Sequence, residues 1–160
     1  MTPVEVLWAQ FLALKSLCFL SRSKKADGWS GVGTGEVVVA QPSVGVLTFT
    51  ETGLWQPDQG REVPFTNLFR WTILGPARVR LEHLRFGPDK PVLLFELEPT
   101  DEKEGESWTS TAPHLCRDDC YSAVLSFEES GVRLEWTVEG PRKSSRIVYI
   151  YASIGLTSSP

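Results

Sequence analysis

The segment from residue 114 to residue 121 holds the densest group of side chains that can carry chemistry. In an extended chain, one face carries His114, Cys116, Asp118 and Cys120, and the other carries Asp119 and Tyr121. Histidine, cysteine and aspartate are zinc ligands, but no second paired motif accompanies them elsewhere in the sequence. A histidine–cysteine nucleophile pair is a second interpretation. The third, which the sequence favours, is that the imidazole and the Asp119 carboxylate anchor a loop by hydrogen bonds to the backbone.

Glu51 is a carboxylate on a strand face that is otherwise apolar. It alternates in step with Leu47, Phe49 and Trp55, which predicts that its side chain points into the core. A buried carboxylate is costly unless it is paired or contacts a ligand. Arg70 on the following strand would satisfy it, either as a buried ion pair that fixes strand register or as part of a polar ligand site. If Glu51 is unpaired, burial would raise its pKa, which suits an acid or a base.

Other candidates lie among the aromatic residues and in one turn. His83 alternates with apolar neighbours and is interpreted as a core residue. Arg142 and Lys143 follow a Gly-Pro turn. If the strands predicted below form an open barrel and this turn lies at its mouth, the two side chains would contact an anionic group of a ligand. The aromatic residues predicted to line the interior are Trp29, Trp55, Trp71, Trp136, Tyr149 and Tyr151. The predicted ligand-binding set is Glu51, Arg70, Trp71, His114, Cys116, Asp119, Tyr121, Trp136, Arg142 and Lys143.

The elements that must position these residues are mostly β-strands. In Gly131–Glu139, the apolar residues Val132, Leu134, Trp136 and Val138 alternate with polar ones. Turn signals rich in Gly, Pro and Asp separate successive runs. About nine strands at spacings of roughly 8–12 residues are typical of an all-β sandwich or barrel, and short connections favour an up-and-down antiparallel β-barrel. The predicted strands cover 17–24, 35–40, 44–55, 65–74, 78–86, 92–98, 121–128, 131–139 and 147–151.

A short amphipathic α-helix is predicted ahead of the strands, at about residues 3–14. Thr2 would cap its N-terminus, Pro3 fits the first helical position, and Glu5 completes a capping box. Glu5, Gln10 and Lys15 interrupt the apolar run, which argues against a membrane-spanning helix or a signal peptide. The length of 160 residues predicts a single domain, residues 1–160, with the barrel at about 16–152 and a short C-terminal tail.

Five motifs occur in a fixed order along the chain. They are Gly31-Val-Gly-Thr-Gly35, Thr48-Phe-Thr-Glu-Thr-Gly53, Phe69-Arg-Trp71, the block from His114 to Tyr121, and Glu135-Trp-Thr-Val-Glu-Gly-Pro-Arg-Lys143. Through these motifs, residues 14–152 resemble an uncharacterised family with a lipocalin-like (calycin-like) barrel domain. The resemblance implies a fold and no activity. The chain departs from the family at Cys18 or Phe19, where the family usually has tryptophan, and it lacks the histidine of an Asp-Gly-x-x-Phe-His element.

Composition limits the classes of function. Lys+Arg 16 and Asp+Glu 20 give a net charge of −4, which argues against a general nucleic-acid binder. Hydrophobic residues at 41% and charged residues at 22% are ordinary for a globular domain. An odd number of cysteines, 3, argues against a disulfide scaffold and fits a reducing compartment, so a cytoplasmic location is predicted. The sequence identifies no cofactor and no oligomeric state.

The sequence leaves three functions open. The first is binding of a small apolar or amphipathic molecule inside the barrel, with Glu51, Arg70 and His114 supplying polar contacts. The second is an enzyme that uses Glu51, or the group His114, Asp119 and Tyr121, for acid–base chemistry. The third is a structural or protein-interaction domain whose barrel is filled. The interior of the barrel distinguishes the first two functions from the third, because binding and catalysis both need an open cavity with converging polar groups.

Overall fold

The computed structural model describes residues 1–24, 30–100, 106–111, 114–116, 119–141 and 143–154. These residues contain the predicted helix and all nine predicted strands, with some ends shifted. The elements are α1 (Pro3–Leu12), β1 (Ser16–Ser23), β2 (Gly31–Ser43), β3 (Val46–Pro57), β4 (Val63–Gly75), β5 (Arg78–His83), β6 (Val92–Pro99), β7 (Ser107–Ser110), β8 (His114–Cys116), β9 (Asp119–Glu128), β10 (Gly131–Glu139) and β11 (Ser144–Ala152). The strands β7 and β8 were not predicted, because so short a segment cannot show a clear alternation.

The strands close into an up-and-down antiparallel barrel, as the sequence predicts. From β1 to β7, each strand pairs with the next one along the chain. The ring then runs from β7 to β9, β10 and β11, and β11 pairs with β1. The short strand β8 pairs with the first residues of β9, on the same side of β9 as β7. Closure of the ring satisfies the backbone groups that an open sheet would leave at its edges.

Strand alternation decides which side chains enter the barrel. Along β3, Leu47, Phe49 and Glu51 all point inward and are fully buried. In the β3–β4 register, Leu47 lies opposite Trp71 and Glu51 lies opposite Asn67. Because directly opposed residues point to the same face of a sheet, β4 turns Trp71 and Asn67 toward the interior.

Helix α1 fills one end of the barrel. Thr2 caps it in a reciprocal capping box with Glu5, as predicted. The ring centroid of Phe11 lies 5.2 Å from that of Phe49 and 4.8 Å from that of Trp71. Burial of a side chain such as Phe11 stabilises the fold by about 1.5–3 kcal/mol, which holds the helix against the interior. Among the described residues, no helix is long and apolar enough to cross a bilayer.

The glycine-rich run belongs to strand β2 and makes room for an aromatic ring. Gly33 lies opposite Phe19 of β1. A Cβ atom at Gly33 would come within 2.2 Å of the Phe19 ring, which is far inside van der Waals contact. The missing side chain therefore lets Phe19 lie against the β2 backbone inside the barrel.

Candidate functional site

The carboxyl group of Glu51 lies inside the barrel with an exposed fraction of 0%. Tyr151 Oη donates a hydrogen bond of 2.6 Å to Glu51 Oε2. Asn67 Nδ2 donates a longer one, of 3.4 Å, to Oε1. Burial raises the pKa of Glu51 from 4.5 to about 7, although both hydrogen bonds favour the charged form. Near neutral pH, the charged and the neutral forms of the Glu51 carboxyl are therefore both populated.

Strand β11 brings two tyrosines to this carboxyl from the far end of the sequence. Tyr149 and Tyr151 occupy one strand face, and their rings stack with centroids 5.4 Å apart and planes at 9°. Burial, followed by the charge of Glu51, raises the pKa of both phenols well above the ordinary value. Both tyrosines therefore stay neutral, and the Tyr151 hydroxyl keeps its proton for the hydrogen bond to Glu51.

A cavity of about 360 Å³ opens at the barrel end opposite α1. Along β3, Phe49 packs against the helix, Glu51 lies midway, and Trp55 lines the cavity. Asn67 both lines the cavity and donates to Glu51, so the carboxyl lies one side chain away from the cavity. The lining residues are Phe19, Ser21, Trp55, Val63, Pro64, Phe65, Asn67, Ile147 and Tyr149.

Four aromatic rings form much of the cavity wall, and Phe19 contacts the other three. Its ring stacks on Trp55 at a centroid distance of 5.4 Å and meets Phe65 edge-on at 5.3 Å. The ring of Tyr149 lies 5.0 Å from that of Phe19. Because the rings support one another, the wall is preorganised for an apolar or aromatic guest.

The predicted interior ion pair between Glu51 and Arg70 is wrong. Arg70 lies opposite Thr48, on the outer face of β4, whereas Glu51 points inward. Its guanidinium contacts the Glu82 carboxylate on β5 at 3.1 Å. Arg70 and Glu82 line a groove of about 580 Å³ on the outside of the barrel. The ion pair therefore belongs to the surface, and the two neutral donors take its place inside.

The other predicted ligand-binding residues are spread over the barrel. Trp71 is buried beneath α1, at the filled end of the interior. Trp136 also points inward, with its ring centroid 6.2 Å from a tyrosine of β11. Lys143 is exposed in the turn before β11, at the barrel end where the cavity opens. Trp29 and Arg142 lie outside the described residues.

Within the block of residues 114–121, strand β8 pairs antiparallel with the first residues of β9. Its backbone pairs His114 with Tyr121 and Cys116 with Asp119. Asp119 and Tyr121 are half-buried and do not line the cavity. For His114 and Cys116, the structure describes the backbone only. Among the side chains that are described, no three or more His, Cys, Asp or Glu come together as metal ligands would. The chemical interpretations of this block stay predictions.

Sequence reasoning missed several residues of the site. Asn67 was not singled out, although it alternates in step with Phe65 and Phe69, which marks the inner face of β4. Phe19 was named only as a departure from a family pattern. Tyr151 was expected to line the barrel, but its bond to Glu51 joins residues 100 positions apart and has no local signal.

A comparison with family models finds one match over most of the chain. The model of a family of unknown function, DUF6314, matches residues 19–153. This range includes every strand from β2 to β11 and most of β1, and with them all the cavity-lining residues. No curated protein and no solved structure matches the chain significantly.

Proposed function

The chain belongs to this family of unknown function, and from the geometry of the site we propose that the barrel binds a small apolar or amphipathic molecule in the cavity beside Glu51. The observation that carries the proposal is an aromatic-lined cavity, one of whose lining residues, Asn67, donates a hydrogen bond to a buried carboxyl group. Ligand sites in proteins combine apolar walls with a few placed polar groups in this way.

The size and lining of the cavity support a small ligand. A volume of about 360 Å³ lies toward the lower end of the range for small-molecule sites. The walls are mainly aromatic and aliphatic, while Ser21, Asn67 and Tyr149 bring polar atoms. An apolar body with one polar end would therefore match the cavity.

The buried carboxyl of Glu51 supports the same proposal. Removing a carboxylate from water lowers stability, and the two side chains that donate to it, Asn67 and Tyr151, are both neutral. An apolar side chain of similar volume would pack the same space at lower cost. Electrostatic attraction of a ligand in the cavity, acting past Asn67, would give this carboxyl a role that packing alone does not.

Acid–base catalysis on the bound molecule is a second candidate. A pKa of about 7 allows Glu51 to take up and release a proton near neutral pH. A catalytic acid or base must also reach the reacting atom, and Asn67 lies between Glu51 and the cavity. Binding is therefore the function that the geometry favours. If there is catalysis, Glu51→Gln will abolish turnover of a neutral bound molecule and leave its binding intact.

Titration with 3,3-dimethylbutan-1-ol, a neutral molecule with a bulky apolar head and a hydroxyl group, tests the binding proposal. We expect saturable shifts of the Trp55 indole N–H signal in protein NMR spectra. Val63→Trp, at the half-exposed rim of the cavity, should abolish these shifts by occupying the mouth. Val38→Trp, the same exchange at an exposed position of β2, is the matched control and should leave binding unchanged. Absence of binding to the native protein, or equal binding to the rim variant, would contradict the proposal.

A further inference from the structure

Building on the proposed function, we propose that the cavity is selective for cationic ligands, organic amines or quaternary ammonium ions, with Glu51 as their counter-ion. Three features of the described residues carry this inference: the aromatic wall, the signs of the charges around the cavity, and the position of Asn67.

The aromatic wall suits a cation as well as an apolar body. The faces of aromatic rings attract ammonium groups electrostatically, and this attraction strengthens when the cation leaves water. Phe19, Trp55, Phe65 and Tyr149 line the cavity, and their planes differ in orientation, from 14° between Phe19 and Trp55 to 78° between Phe19 and Phe65. Because the planes differ, rings on different sides of the cavity can turn a face, the negative part of the ring, toward a compact cationic head.

The charges near the cavity disfavour an anion. None of the lining residues described is a lysine, an arginine or a histidine. Two arginines on the lining strands β1 and β11 are already paired, Arg22 with Asp58 at 3.0 Å and Arg146 with Glu135. Lys24, Arg61 and Lys143 are exposed at the same end of the barrel and do not line the cavity. An anion in the cavity would lack a buried counter-ion and would be repelled by Glu51, whereas a cation would be attracted to it.

Asn67 connects the cavity to the carboxyl. Its amide nitrogen is turned toward Glu51 Oε1, so its carbonyl oxygen is turned away from the carboxylate and can accept from an N–H donor. The hydrogen bond to Glu51 is long, 3.4 Å, and a small rotation of the amide would release it. An amine that carries an N–H can therefore donate to Asn67 and lie close to the charge behind it. A quaternary ammonium ion has no N–H, and the charge of Glu51 and the ring faces would hold it instead.

Cation binding is linked to the protonation of Glu51. The neighbouring side chains from β2, β4 and β11 are Val37, Asn67, Tyr149 and Tyr151, and the two tyrosines are neutral. A cation favours the charged carboxylate and so lowers the pKa of Glu51 from its value of about 7. Binding should therefore release a proton and tighten as the pH rises from 6 to 8.

Three probes of similar shape and different charge test the inference. They are choline, its neutral analogue 3,3-dimethylbutan-1-ol, and the anion 2-hydroxyethanesulfonate. At pH 8 we expect choline to bind the native protein roughly tenfold more tightly than the neutral analogue, and the anion to bind least. In Glu51→Gln, choline should lose most of this advantage while the neutral analogue binds as before. Glu36→Gln removes the same charge from an exposed site on β2 and should change neither affinity.

The outcomes separate the inference from the function on which it rests. Equal affinity of choline and the neutral analogue for the native protein would overturn the cation selectivity and leave the binding function standing. A choline preference that survives in Glu51→Gln would overturn the role of Glu51 as the counter-ion. If none of the three probes binds, both proposals fail.

Discussion

Replacement of Glu51 by glutamine should stabilise the protein at neutral pH, although it alters a hydrogen-bonded residue in the core. Glutamine keeps the size and shape of the side chain, and its amide oxygen can still accept a hydrogen bond from Tyr151. Its NH2 group can donate to Asn67 once the Asn67 amide turns over to present its oxygen. It removes the charge that burial penalises. We therefore expect the free energy of unfolding of Glu51→Gln to exceed that of the native protein above pH 7.

The magnitude follows from the difference in pKa between the two states. The carboxyl titrates at 4.5 in the unfolded chain and at about 7 in the folded protein. Between these values the folded protein holds more protons, so its stability falls as the pH rises and levels off above 7. Each pKa unit corresponds to about 1.4 kcal/mol, which gives a total loss of about 3 kcal/mol. The free energy of unfolding of Glu51→Gln does not fall in this way, because glutamine does not titrate.

Urea unfolding followed by tryptophan fluorescence between pH 4.5 and pH 8 measures the effect. The difference in unfolding free energy, variant minus native, should grow by about 3 kcal/mol across this range. Titration of other groups, such as Glu135, whose pKa the hydrogen bond from Arg146 lowers, cancels in the difference. Glu36→Gln, at an exposed position, should show almost no growth. A pH-independent difference for Glu51→Gln would mean that the buried carboxyl titrates normally, and the reasoning would be refuted.

Three further predictions follow from contacts in the barrel. Tyr151→Phe removes the shorter hydrogen bond to the buried carboxyl; it should raise the pKa of that group further and cost about 1–3 kcal/mol, as urea unfolding at several pH values will show. Gly33→Ala should cost about 1–3 kcal/mol, because its Cβ atom would strike the ring of Phe19. Its control, Gly75→Ala, has no atom within 4 Å of the added Cβ and should change stability by less than about 0.5 kcal/mol. Arg70→Gln should leave the affinity for every probe unchanged, because its ion pair lies on the outer face of the barrel, and it should cost about 1–3 kcal/mol, because the largely buried Glu82 carboxylate loses its counter-ion.

The alternation of apolar and polar residues predicted the barrel, because each strand of a closed antiparallel barrel needs one apolar face toward the interior. It also predicted that Glu51 points inward, since Leu47 and Phe49 flank it on the same strand face. The pairing of β11 with β1 confirms the barrel, and the burial of Leu47, Phe49 and Glu51 confirms that this face points inward. The predicted helix was confirmed as well, because a capping box is a local signal that needs no tertiary contact.

The partners of Glu51 could not be predicted in the same way. Strand β4 has apolar residues on both faces, and the prediction of an ion pair placed the face of Leu68 and Arg70 in the interior. The face of Phe69 is the one that packs inside, because the register sets Glu51 opposite Asn67. Choosing between two apolar faces needs that register, and alternation within one strand does not supply it.

The pairing of β1 with β11 has a consequence for how the barrel forms. Most strand pairs join neighbours in sequence and can form early, whereas the seam between β1 and β11 must close a loop of more than a hundred residues. Until β11 pairs with β1, the barrel is open, Tyr151 does not donate to Glu51, and the Glu51 carboxylate remains solvated and charged. Closure of the seam is therefore linked to protonation: between pH 4.5 and about 7, burial of Glu51 behind the closed seam is accompanied by the uptake of a proton.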